Sequence, residues 1–249
     1  VEITPEWGLR SLKAGMAYPL CTSLQCQACG LLFLDIRFSD AEMAALYAGY
    51  RGSDYAAQRE GFEPGYAAIN TAILANIPDT APAEAFLAAH VKPSPRVLDW
   101  GGDTGDNTPF RATAAAVDIF DISDQPVAAG ARRVSRAQLE TAHYDLVVLS
   151  HVLEHVPEPE VVVREAAAAL DRNATLYIEV PYEALIAAAP NAHDLAPRKK
   201  YWHEHVNFFT ETAMRALLAQ CELQIVALET RPFQSLASIT QVMSVAARR

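Results

Sequence analysis

The hydrophobic pattern of the chain changes character near residue 92. Before that point, apolar residues recur mainly at helical spacing. Residues 1–38 read as irregular, with a short strand at 29–34. Ser39 is a good N-cap for the run DAEMAALYAGY, which predicts a helix from residue 40. Phe62, Tyr66, Ile69, Ile73 and Ile77 share one face of a second predicted helix over 63–77, and an alanine-rich third covers 81–90. Lys92-Pro93-Ser94-Pro95 then breaks any helix and reads as a linker. Beyond it come short apolar runs ending in polar residues: RVLDW (96–100), AVDIFD (116–121), YDLVVLS (144–150) and TLYIEV (175–180). Runs apolar on both sides predict strands of a parallel sheet covered by helices on both faces. A helix is predicted over 158–170, then a tail of helix (211–220) and two strands (223–229 and 238–246). The expected class is α/β, doubly wound, with an antiparallel sheet edge and an N-terminal helical cap.

The most informative loop follows the first of these strands, in Val97-Leu98-Asp99-Trp100-Gly101-Gly102-Asp103-Thr104-Gly105. Glycines there let the backbone approach a ligand closely and adopt positive φ. The next strand ends at Asp121, where an acid can accept both hydroxyls of a ribose. A dinucleotide oxidoreductase is the obvious competitor, but G-x-G-x-x-G is absent and Asp99 would repel a pyrophosphate. A carboxylate at that position suits a ligand carrying sulfonium and ammonium charges, as S-adenosylmethionine does.

Composition narrows the setting. Thirty acidic against twenty basic residues give a net charge of −10, which argues against a general nucleic-acid binder. No run is long enough and apolar enough for a membrane span, and no signal sequence opens the chain, so a soluble, cytoplasmic protein is expected. Oligomeric state is not legible. Cys26 and Cys29 form C-x-x-C, a spacing suited to one half of a zinc site. A zinc ribbon needs a second such pair, and the residues ahead of Cys21 hold neither Cys nor His. The chain starts at Val1, so one reading is a half-ribbon whose first knuckle preceded it. The other, favoured, is a small hairpin carrying reduced thiols, with zinc possible.

VLDWGGDTG resembles motif I of class I S-adenosylmethionine-dependent methyltransferases. VDIFDIS resembles their second strand, and YDLVVLSHVLEHVPEP (144–159) their fourth-strand motif. The resemblance, over about 95–180, implies a Rossmann-like, mostly parallel seven-stranded sheet and S-adenosylmethionine as cofactor. It implies that Asp99, Gly101, Gly102 and Gly105 line the methionine end and that Asp121 holds the ribose. Ser150 and His151 would lie at the fourth-strand tip, and the adenine contact around Ser135 to Ala137. Asp103 replaces the motif's middle glycine, and the short stretch after Asp121 implies a helix reduced to a loop.

Tyr201-Trp202-His203-Glu204-His205-Val206-Asn207-Phe208-Phe209 is the second chemical segment. Histidine exchanges protons near neutral pH, so His203 or His205 could accept a proton, with Glu204 or Tyr201 assisting. An H-x-H metal pair and a structural histidine are the competing readings. With the upstream CxxCG and the EVP and NFFT stretches, the segment is similar to methyltransferases of sugar and polysaccharide pathways. That similarity implies a nucleotide-sugar, glycan-linked or other small-molecule acceptor, and hence carbohydrate biosynthesis. Tyr55, Arg59 and Tyr66 could reach the cofactor from the cap, although a solvated helix face suits Arg59 better. The expected organisation is an N-terminal segment (1–38), a helical cap (39–92) and a methyltransferase core (93–249). The alternative is a non-catalytic cofactor-binding or scaffold protein with this fold, as Asp103 and the incomplete ribbon would suit.

Overall fold

The computed structural model describes residues 23–35, 37–47, 49–61, 64–75, 79–123, 125–182, 205–234 and 239–249. Five parallel strands carry the buried apolar runs: β3 (Arg96–Trp100), β4 (Ala116–Phe120), β5 (Ala131–Arg133), β6 (Tyr144–Ser150) and β7 (Leu170–Pro181). Two antiparallel strands, β9 (Gln224–Gln234) and β10 (Ile239–Arg248), complete the sheet in the order β5-β4-β3-β6-β7-β10-β9. The expected doubly wound, seven-stranded sheet with an antiparallel edge is therefore present. Its strand order reverses between β3 and β6, and open α/β sheets bind ligands at the carboxyl ends of strands at such a switch point.

Strand side chains alternate between two faces, so each strand contributes to two cores. Val97, Leu146, Val148 and Tyr177 pack with Ala83 and Leu87 of helix α4 (Ala81–Leu87). On the opposite face, Leu98, Val147, Leu149 and Ile178 pack with helices α6 (Pro159–Ala168) and α7 (Glu211–Gln220). The two-sided apolar pattern thus follows from two helical layers.

Helices α1 (Asp40–Tyr47), α2 (Ser53–Glu60) and α3 (Tyr66–Ala75) precede the sheet. Ser39 opens α1 as expected. Its backbone N–H and hydroxyl both donate to Glu42 at 2.8 Å, and Glu42 N–H returns a bond to the hydroxyl at 3.4 Å. The face expected for 63–77 is rotated: Tyr66 and Asn70 are buried while Ile69 is 56% exposed. Asn70 turns inward because its amide donates to the Arg51 carbonyl at 3.0 Å. Phe62 and Ile77 lie outside the described residues. Arg59 is half-buried, stacking 4.2 Å above the Tyr66 ring and donating to the Tyr55 hydroxyl at 3.0 Å.

Two connections depart from the helix-covered pattern. Residues 101–115 between β3 and β4 form turns, and the described residues of 121–130 form no helix. Pro109 and the polar run Asp106-Asn107-Thr108 explain the first. The second is the shortening expected after Asp121. β7 begins at Leu170 and so takes the last residue of the helix expected over 158–170. A short helix, α5 (Arg136–Leu139), follows β5 under a Ser135–Gln138 capping box.

The N-terminal hairpin of β1 (Ser23–Gln25) and β2 (Leu32–Leu34) adds to β8 (Asn207–Phe208) in a second, three-stranded sheet. Asn207 ties this sheet to the tip of the large one. Buried at 1% exposure, it donates to the carbonyls of Leu153 (2.9 Å) and Val156 (2.8 Å), and Arg37 donates to its side-chain oxygen (2.9 Å). Asn207→Ala leaves two carbonyls without these donors, at about 1–3 kcal/mol for each one that stays dry. Denaturant unfolding should show the variant about 2–4 kcal/mol less stable, with an unchanged slope. A loss below 0.5 kcal/mol would show that the clamp contributes nothing to stability.

Candidate active site

β3 delivers Asp99 and then turns sharply, because Gly101 has φ +80° and its N–H returns to the Phe120 carbonyl at 2.7 Å. A β-carbon on Gly101 would lie 2.5 Å from Val152, and one on Gly102 would lie 2.5 Å from the Asp99 carboxyl carbon. The loop therefore folds back over Asp99 in a way that only glycine permits at these two positions. Asp99 is buried, and Thr108 donates to it at 2.6 Å. Burial pushes its carboxyl up to about 6, against the Thr108 hydrogen bond and with help from the Asp121 charge.

Asp121 stands at the end of the neighbouring strand, as the sequence anticipates. Its two oxygens accept backbone N–H groups from Asp103 (2.8 Å) and Ser123 (2.6 Å). Each oxygen keeps a second lone pair, so a ligand diol can still be received. Asp103 sits at φ +50°, a region that Asp tolerates better than most residues, and its carboxylate accepts from the Ser123 hydroxyl at 2.8 Å. Ser135, placed by resemblance near an adenine, has its hydroxyl engaged with Gln138 at 3.1 Å.

Across the switch point, Ser150 ends β6 and His151 follows with φ +55°. His151 N–H donates to the Glu179 carbonyl at 2.8 Å. Its ring lies between two buried carboxylates, with Nδ1 3.2 Å from Glu154 and Nε2 3.4 Å from Glu179. Burial opposes the imidazolium charge, but hydrogen bonds to Glu154 and Glu179, with their charges, outweigh it and raise His151 to about 10. Glu179 is lowered to about 2, because the His151 bond and charge, Tyr177 and Arg231 overcome the effect of burial. Arg231 and Tyr177 both donate to Glu179, Tyr177 at 2.7 Å, and Ser244 lies 3.2 Å away.

His205, the described member of the His-Glu-His segment, meets the His155 ring edge-on at 4.9 Å. Tyr201, His203 and Glu204 lie outside the described residues. His205 is held in place because Glu154 C=O accepts from the N–H groups of Val206 (2.8 Å) and Asn207 (3.1 Å). Cys26 and Cys29 occupy the turn of the hairpin as free thiols. Backbone N–H groups of Cys29 and Ala28 lower the Cys26 thiol, whereas burial raises Cys29.

The structure thus joins the glycine loop to Asp99 and Asp121, sets Val152, the neighbour of His151, against Gly101, and places His205 beside His155. Sequence reasoning did not single out Glu154, Glu179, Asn207 or Arg231. A glutamate inside the otherwise apolar TLYIEV strand was the available signal for Glu179.

The charged network has a definite pH signature. His151 is raised above the 6.5 expected unfolded, so its stabilisation is complete below that value and is lost as pH rises through about 10. Glu179 is lowered, so its contribution is present above about 4.5 and is lost as pH falls through about 2. Glu179→Gln should move the His151 imidazole titration, read by NMR, down by at least one pH unit. An unmoved midpoint would show that Glu179 does not hold the charge.

Sequence comparison matches residues 74–228 to the methyltransferase domain family, more than half of the chain. No curated protein matches it. Among solved structures, the Burkholderia thailandensis 1,6-didemethyltoxoflavin-N1-methyltransferase, with bound 1,6-didemethyltoxoflavin and S-adenosylhomocysteine, is similar at TM-score 0.58. The two share 17% identity over 92% of this chain and 99% of that one. Magnesium protoporphyrin IX methyltransferase from Synechocystis, with bound S-adenosylmethionine, gives 0.53 at 18% identity, over 86% of this chain and 100% of that one. These likenesses are of fold. With the family match over residues 74–228, the chain belongs to the methyltransferase domain family.

Proposed function

We propose that this methyltransferase moves a methyl group from S-adenosylmethionine to a sugar-like acceptor, nucleotide- or glycan-linked, or to another small molecule. The observation that carries the proposal is the glycine loop at the switch point, closed over buried Asp99 and flanked by Asp121. The residues fit the cofactor. Asp99 matches its ammonium, Gly101 and Gly102 let the loop close tightly over Asp99 at the methionine end, and Asp121 matches its ribose diol. The sulfonium supplies the electrophilic methyl.

The chain's own contribution is positioning and proton handling. His203 or His205, helped by Glu204 or Tyr201 of the same segment, would accept the acceptor's proton. His151, held between Glu154 and Glu179, fixes the tip of β6. The sugar-like acceptor rests on the resemblance of the His-Glu-His segment. The names of the structural neighbours specify 1,6-didemethyltoxoflavin and magnesium protoporphyrin IX.

Calorimetry with S-adenosylmethionine tests the cofactor reading directly. The parent chain should bind it, and Asp121→Ala should weaken binding at least tenfold. No binding to the parent would overturn the proposal. The raised Asp99 adds a pH dependence. The native state keeps this proton to about 6, and a cationic ligand must displace it. Affinity should therefore climb by up to tenfold per pH unit below about 6 and level off above it. Asp99→Asn should bind more weakly and lose that slope; an unchanged slope would remove Asp99 from the site.

The acceptor class is tested by S-adenosylhomocysteine release in the presence of nucleotide-sugar pools. Release with these pools, reduced at least a hundredfold in His205→Ala, is the expected result. Release only with heterocyclic or porphyrin acceptors would reject the sugar reading.

A further inference from the structure

Three metal-ligating side chains converge at the turn after β6, whose Val152 lies against Gly101. Glu154, His155 and His205 each offer one ligand atom, and these atoms all lie within 4.8 Å of one another. Glu154 and His155 are consecutive in the turn after β6, while His205 arrives from the segment before β8. The bonds from Val206 and Asn207 N–H to the Glu154 carbonyl dock that segment, and Asn207 clamps the same turn through Leu153 and Val156. The convergence is thus fixed by backbone geometry rather than by chance approach of exposed side chains.

The Glu154 carboxylate is divided in its use. Oε1 is engaged by His151 at 3.2 Å, with His155 Nε2 at 3.8 Å. Oε2 is buried, in a residue only 2% exposed, and has no hydrogen-bond partner among the described residues. A buried carboxylate oxygen without a donor is costly, and a cation is the partner that satisfies it most fully.

We propose that Glu154, His155 and His205 bind one divalent metal ion of the zinc type, with the Glu154 carboxylate as the third ligand. Two imidazoles and one carboxylate with a vacant fourth position form a donor set typical of catalytic zinc. Tetrahedral bonds of about 2.1 Å separate ligand atoms by about 3.4 Å, so modest side-chain rotation closes the set. His151 supports it from behind by holding Oε1, as partners of metal-bound carboxylates do. The site is separate from the Cys26–Cys29 thiols, which lie in the hairpin turn.

The catalytic meaning of the ion rests on the methyl-transfer reading. Its open position would receive the acceptor's hydroxyl and lower that group's pKa. His205 serves as ligand, His203 of the same segment takes the proton, and the oxygen takes the methyl as the carbon–sulfur bond breaks and S-adenosylhomocysteine leaves. The acceptor atom is then oxygen.

The test uses the full chain carrying Cys26→Ser and Cys29→Ser, stripped with chelator and titrated calorimetrically with Zn2+. One ion per chain is expected, with affinity falling at least tenfold in His155→Ala and again in His205→Ala. Cobalt(II) in the same protein should give the visible absorption of a four-coordinate site, lost in both variants. Absence of stoichiometric binding, or equal binding by the parent and both variants, would overturn the proposal. The same samples are titrated with S-adenosylmethionine. Zinc binding through the two histidines without S-adenosylmethionine binding would leave the metal site standing and reject the methyl-transfer reading. S-adenosylmethionine binding without zinc binding would do the reverse.

Discussion

The active-site side of the sheet depends on one charged contact, His151 set between the buried carboxylates of Glu154 and Glu179. Neither carboxylate could remain ionised in that position without a nearby cation. Glu179 draws further donors from Arg231 on β9, Tyr177 on β7 and Ser244 on β10, so the contact joins three strands to the tip of β6. Glu154 extends it through its carbonyl to β8, and through β8 to the N-terminal hairpin. Breaking one partner would strand the others, because a buried charge left alone costs more than the pair contributed.

This network also sets the shape of the cofactor loop. The positive φ of His151 turns the chain so that Val152 lies against Gly101, at a distance that leaves no room for a β-carbon. Position 101 is thus constrained twice, by its own φ and by a side chain from the opposite side of the switch point. The glycine pattern alone displays the first constraint. The second arises from a turn fifty residues away and has no local signature.

That difference explains what was legible. Strands β3 and β6 and helix α7 match their sequence-based bounds, because two packed faces make each strand continuously apolar and amphipathic spacing marks the helix. The rotated face of α3 was hidden, since Asn70 is buried through a bond to a backbone carbonyl in a preceding turn. The absence of a helix between β3 and β4 was hidden too, because a crossover is assumed to carry one. At the site, Asp99 and Asp121 were visible as acids closing apolar strands. Glu154 and Arg231 were not, because their significance comes from partners distant in sequence. His155 carries no local mark either, and its position beside His205 depends on the Asn207 clamp.

Asp103 illustrates how a departure from a motif can be accommodated structurally. Its αL backbone carries a strain that glycine would avoid, of order 1 kcal/mol. In return its N–H reaches Asp121 Oδ2 and its carboxylate holds the Ser123 hydroxyl, while the Ser123 N–H reaches Asp121 Oδ1. Arg133 adds a bond to the Asp103 carbonyl at 3.0 Å. These bonds fix the orientation of the Asp121 carboxylate before any ligand arrives, so less ordering is needed on binding. Among the described residues, the connections flanking Asp121 hold no helix that could brace it from outside. A hydrogen-bonded Asp103–Ser123 bridge supplies that bracing locally, which glycine at position 103 could do only in part.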